Sequence, residues 1–145
     1  MEIVIFFWML VILSCTYASF AGGRDGRRAS LVILCASLLS LTGQETDSWL
    51  ETQFIVMVID LITLMAMLAI ALSSKAYWPL WVAAFQVNTV ATHMATLFSA
   101  SFAASIYQAL GGFWAIPGLL AMVIGIAMDQ SSNLAQPGDS KECAE

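Results

Sequence analysis

The sequence predicts an all-α integral membrane protein, a five-span transmembrane helix bundle with its N-terminus outside and its C-terminus cytoplasmic. Composition is the first ground. The chain has 145 residues, 60% hydrophobic and only 10% charged, where a soluble domain carries about 25% charged residues, and its mean hydropathy is +0.84. Charge distribution is the second. Between Ala29 and Met128 the formal charges are confined to Glu45, Asp47, Glu51, Asp60 and Lys75, so apolar runs follow one another with little polar sequence between them. The third is parity. With five spans, Arg24, Arg27, Arg28, Lys75 and Lys141 all fall on one side, the side on which short basic loops are retained.

The same arithmetic excludes other classes. So apolar a chain is not intrinsically disordered, and three cysteines make no disulfide framework. Five Lys plus Arg against ten Asp plus Glu leave no basic footprint, so nucleic acid is not an expected partner.

The first span is expected over about 2–20 (EIVIFFWMLVILSCTYASF), which at about 1.5 Å per residue nearly covers a hydrocarbon core of about 30 Å. Small residues follow its apolar run at Ser19 and Ala21, as in a signal peptide, but an n-region carrying Glu2 and no Lys or Arg has the wrong charge for export. The second span, 28–44, is short and interrupted by serines. Arg27 and Arg28 would snorkel at one end, with Thr42 and Gln44 at the other interface. Parity requires it, since without it the Arg cluster and Lys75 would lie on opposite sides.

Stronger spans are expected at 52–72, 77–98 and 105–128, joined by turns so short that neighbouring helices must run antiparallel. The acidic connection GQETDSWLE suits the outer face. Trp49 would mark the outer interface, and Tyr77, Trp78 and Trp81 beside Lys75 the inner one. The polar tail 129–145 contains Pro137 and Gly138, lacks any apolar period, and is expected to be disordered in the cytoplasm. No internal repeat is visible.

Asp60 most needs an explanation, because a carboxylate inside a span costs roughly 2.5 to 3.5 kcal/mol even on the lenient insertion scale. It lies about 12 Å below the outer end of its helix, and His93 lies about 9 Å below the same face on the next one. Their depths match, so a neutral hydrogen-bonded pair or an imidazolium–carboxylate pair is expected. Gln53, Asp60 and Thr63 form a polar stripe on the third helix. Gln86, Thr89, His93 and Thr96 form another on the fourth, with Asn88 and Thr92 widening it. Such stripes suit either a hydrated path for protons or ions, or interhelical glue that sets helix register.

The fifth helix carries small residues every seven positions at Ala104, Gly111, Gly118 and Gly125, with Ala115 between two of them. This spacing makes a smooth seam along which another backbone can approach closely, from the same chain or from a partner. Pro117 removes one backbone donor and is expected to bend the helix there.

Cofactor and enzyme signals are missing. One histidine cannot form a bis-imidazole haem site, and methionines such as Met57 and Met94 read as packing rather than as a second ligand. Zinc would lack ligands, since His93 and Asp60 stand in one leaflet and the cysteines in the other or in the tail. Cys15 and Cys35 share a depth but no C-x-x-C spacing, and read as small packing residues; Cys143 stands alone. No nucleophile elbow, zincin helix or phosphate loop occurs, and Ser99 and Ser101 sit in a turn without an oxyanion hole.

The expectation is therefore a small non-catalytic subunit of a bacterial-type inner (cytoplasmic) membrane, without a cofactor. It would pack against lipid and against itself or another integral membrane protein. The alternative is a small oligomeric proton- or ion-responsive transporter or channel using Asp60 and His93.

Overall fold

The computed structural model describes residues 2–42, 49–98 and 104–135. These residues form five helices and no strand: α1 (Glu2–Ala21), α2 (Gly23–Thr42), α3 (Trp49–Ser73), α4 (Trp78–Phe98) and α5 (Ala104–Ala135). Each contains an apolar run, and α5 continues through Pro117. Three of the helices contain segments long and apolar enough to cross a membrane: Val4–Ala21, Glu51–Ser73 and Phe113–Ser132. The other two are diluted by polar residues. Helix α2 opens with Arg24, Asp25, Arg27 and Arg28, and α4 carries Gln86, Asn88, Thr89, Thr92, His93 and Thr96.

Two boundaries differ from expectation. The GGRDGRR segment is not a loop, because α2 begins at Gly23 and takes all three arginines into its first two turns. The reversal from α1 is compressed into Gly22 and Gly23. The Gly22 N–H still donates to the Ala18 carbonyl at 2.9 Å, Gly26 N–H donates to the Gly22 carbonyl at 2.9 Å, and Gly23 turns the chain with φ +60°, where a side chain would be strained. A Cβ on Gly22 would lie 2.7 Å from the Ala18 carbonyl oxygen, and one on Gly26 would overlap the same atom. At the other end of the chain, the polar tail is helical as far as Ala135; residues 136–145, including Lys141 and Cys143, lie outside the described residues.

Every helix packs against its sequence neighbours, and α1 packs against α5, so the five close into a ring. Contacts fix the directions. Ser19 meets Ser30 across α1 and α2, Gln53 meets His93 across α3 and α4, and Gly125 meets Trp78 across α4 and α5, so each pair is antiparallel. Gln130 Nε2 donates to the Ala21 carbonyl at 3.0 Å, which places the C-terminal parts of α1 and α5 together and makes these two helices parallel. The turns α1–α2 and α3–α4 therefore share one end of the bundle, with Arg24, Arg27, Arg28 and Lys75.

Among the described residues the buried apolar core is drawn from Val11, Cys15 and Ala18 of α1, Ala29 of α2, Leu64, Met67 and Ile70 of α3, Trp78, Val82, Ala83 and Val90 of α4, and Leu119, Met122 and Ile126 of α5. Trp78 corrects the expected interfacial belt. It is 4% exposed and belongs to this core, whereas Tyr77 and Trp81 are 80% and 63% exposed. The reason is its position at the start of α4, where Gly125 leaves room for the indole.

Candidate functional site

In the half of the bundle away from the arginines, the interface of α3 and α4 is polar. Gln53 and Asp60 stand two turns apart on α3, and Gln86 and His93 two turns apart on α4. Because these helices are antiparallel, Gln53 comes opposite His93 and Asp60 opposite Gln86. The Gln86 side-chain amide donates to Asp60 Oδ1 at 3.0 Å and to the Asp60 main-chain carbonyl at 3.4 Å. His93 Nδ1 lies 3.1 Å from Gln53 Oε1, and His93 Nε2 lies 3.0 Å from Asp60 Oδ2. The four side chains thus form one line, Gln86–Asp60–His93–Gln53.

Donor and acceptor logic sets the protonation of this line. An amide oxygen only accepts, so His93 Nδ1 carries a hydrogen and donates it to Gln53 Oε1. The contact between Nε2 and Asp60 Oδ2 then needs one proton between the two atoms. Either an imidazolium donates to a carboxylate or a neutral carboxyl donates to a neutral imidazole, and in both forms the pair has no net charge. This neutrality is what makes it tolerable inside a helix interface, where an uncompensated charge is costly. His93 and Gln53 are buried, at 9% and 6% exposure, and among the described residues no buried side-chain nitrogen or oxygen is left without a partner.

The remaining polar residues divide. Thr63 and Thr89 are buried and return their hydroxyls to their own helices, donating to the Ile59 carbonyl at 2.8 Å and the Phe85 carbonyl at 3.4 Å. Asn88 does not widen the polar face. It is exposed and donates to the Ala84 carbonyl at 3.4 Å, while Thr92 and Thr96 likewise bond back along α4. A 3.6-residue period turns Asn88 away from Gln86 and His93, so the stripe is narrower than the sequence spacing implied.

The glycine seam faces α4 of the same chain. A Cβ on Gly125 would overlap Trp78 Cβ and lie 3.2 Å from its Cγ, while one on Gly118 would stand 3.5 Å from Phe85 Cβ. Ala115 is half-buried on α5, and the side chains around Ala104 and Gly111 lie outside the described residues. A surface for a partner must therefore be sought elsewhere than at Gly118 and Gly125.

Cys15 is buried and Cys35 exposed, and both are free thiols. Among the described residues no three His, Cys, Asp or Glu side chains gather as metal ligands would. Trp49, Ser99 and Ser101 fall where side chains are outside the described residues. What sequence reasoning missed was the pairing of the two glutamines with Asp60 and His93. Its signal was present, since Gln53 and Asp60 share the seven-residue spacing of Gln86 and His93. Compared with known proteins, the chain matches no protein-family model, no curated protein and no solved structure.

Proposed function

We propose that the chain is a small non-catalytic integral membrane subunit of the inner membrane, that all five helices cross the bilayer, and that it packs within or stabilises a larger membrane assembly. The observation that carries this reading is the inversion of the surface. Large apolar side chains are exposed on every helix, for example Leu13 of α1, Leu31 of α2, Ile62 of α3, Trp81 of α4 and Ile124 of α5, while Gln53, Asp60, Gln86 and His93 turn inward and satisfy one another. Exposed apolar surface on all sides suits lipid or the helices of another membrane protein. The connections support it too. They amount to Gly22, 43–48, 74–77 and 99–103, too short for a soluble head, so the chain's work lies within the membrane plane.

The orientation follows from Arg24, Arg27, Arg28 and Lys75 sharing one end, which the positive-inside rule assigns to the cytoplasm. Helix α2 has only 29–42 as apolar length, and its arginines complete the crossing by snorkelling. Reporter fusions test this directly. A periplasm-active reporter is expected to work before Met1 and a cytoplasm-active one after Glu145; activity of both fusions in one compartment overturns five spans. For the subunit reading, the test is the mass of the particle after extraction in mild detergent. A stoichiometric complex with itself or another membrane protein is expected, and a lone monomer overturns it.

A second reading is favoured by the 3.0 Å contact between His93 Nε2 and Asp60 Oδ2, which suits a proton- or ion-responsive transporter or channel working as an oligomer. Vesicles containing the protein separate the two. Dissipation of an imposed pH gradient that disappears in Asp60→Asn would favour transport, and no flux in the intact protein would remove it.

A further inference from the structure

We propose that the outward groove between α1 and α2 is a binding site for an anionic phospholipid of the cytoplasmic leaflet, with one acyl chain in the groove and the phosphate on Arg24 and Arg27. The groove is lined by Ile12, Cys15, Thr16, Ser19, Phe20 and Leu34 and has a volume of about 360 Å³, within the roughly 300–1,000 Å³ range of small-molecule sites. Its residues on α1 recur at helical spacing, so they form one stripe running along the helix axis. From Phe20 to Ile12 this stripe covers about 12 Å, close to the depth of one leaflet of a core about 30 Å thick. Ile12 and Phe20 are exposed, at 54% and 86%, so the groove opens sideways to lipid rather than into the bundle.

Thr16 apart, the polar side chains of the groove gather at one end. Ser19 Oγ donates to the Cys15 carbonyl at 2.8 Å and lies 2.7 Å from Ser30 Oγ, which stitches the two helices together at the groove mouth. Arg27 Nε donates to the Ser19 carbonyl at 3.3 Å, fixing the guanidinium beside the mouth with its other N–H donors still to be used. Arg24 stands one turn earlier on the same face of α2, exposed. Arg28 leans on Asp25 at 3.9 Å, so of the three arginines it is the one paired with an acid among the described residues. Among the described residues, Asp25 and Asp129 are the acids at this end and Lys75 is a further base. The arginines thus concentrate positive charge in a chain of net charge −5. An apolar channel of leaflet depth capped by guanidinium groups matches a lipid with an anionic head, since guanidinium binds phosphate through paired N–H donors.

The inference rests on the membrane reading above, and the experiment separates the two. Membranes holding the full chain are washed at alkaline pH, and the retained protein is extracted and offered an equimolar mixture of dioleoyl phosphatidylglycerol and dioleoyl phosphatidylcholine. Bound lipid is then read by native mass spectrometry. Loss of the chain from the membranes overturns the membrane reading, whereas a retained chain without preference for phosphatidylglycerol overturns this site alone. The expected result is preferential retention of phosphatidylglycerol, falling about fivefold for each arginine replaced in Arg24→Gln and Arg27→Gln. Thr16 is exposed and lies outside the core, so Thr16→Trp fills the groove without disturbing the fold. It is expected to reduce retention with every arginine in place. Unchanged retention in Thr16→Trp, equal retention of a dihexanoyl phosphatidylglycerol, or displacement of the lipid by inorganic phosphate would each show that the charge acts without the groove and would overturn the proposal.

Discussion

His93 Nε2 stands 3.0 Å from Asp60 Oδ2 across the interface of α3 and α4, on the diagonal of two register-matched pairs, Gln53 with His93 and Asp60 with Gln86. A slip of either helix by one turn would break the whole line at once. All three contacts thus require the same register of α3 against α4.

The strength of the diagonal is measurable by a double-mutant cycle. With Asp60→Ala, His93→Ala and the double variant unfolded in the same detergent, we expect a coupling of about 0.6 kcal/mol, and up to about 1.7 kcal/mol, the range for polar pairs between membrane helices. Additive single effects would show that the two side chains do not support one another.

Asp60→Asn and Asp60→Leu should differ. The asparagine amide still accepts from Gln86 and can donate to a neutral His93 Nε2, so thermal stability should fall little. Leucine leaves the Gln86 amide and the imidazole without their partner, at about 1–3 kcal/mol. Equal losses in the two variants would mean that the carboxylate's charge, not its hydrogen bonding, holds the interface.

Two glycines of one seam are expected to respond oppositely to alanine. At Gly125 the new methyl meets Trp78 at its Cβ, an atom close to the backbone that cannot swing aside, so overpacking should cost roughly 1–3 kcal/mol. At Gly118 the nearest atom is an ordinary contact at 3.5 Å, and replacing glycine in a helix interior should stabilise by about 0.5–1 kcal/mol. Thermal unfolding of Gly118→Ala and Gly125→Ala reads both signs.

The tryptophans of α4 offer an optical check. In variants that keep one of Trp78 and Trp81 as the sole tryptophan, brominated lipid should quench Trp81, which is 63% exposed, and spare Trp78, which is 4% exposed. In stability, Trp78→Ala should cost about 3–5 kcal/mol as a core truncation. Quenching of Trp78 as strong as that of Trp81 would contradict the close packing of α4 on Gly125.

Much of the helical layout was legible because hydropathy and periodicity are local. Five apolar runs give five helices, and the breaks between them lie where charge or small residues gather. Boundaries were less legible. The arginines of GGRDGRR read as a loop by polarity, yet they join α2 because Gly22 and Gly23 complete the reversal and free the following residues to be helical. Asp129–Ala135 continues α5 because a helix already nucleated extends at little cost, and Gln130 gains a bond to the Ala21 carbonyl.

By itself the sequence determined that Asp60 and His93 lie at one depth on neighbouring antiparallel helices, because rise per residue and turn length are properties of the backbone. Which side chains complete the site was decided only by tertiary structure. Rotation of a helix about its axis depends on packing over its whole length, and that rotation brings Gln53 and Gln86 into the line, turns Asn88 out, and sets Gly125 against Trp78 within the chain.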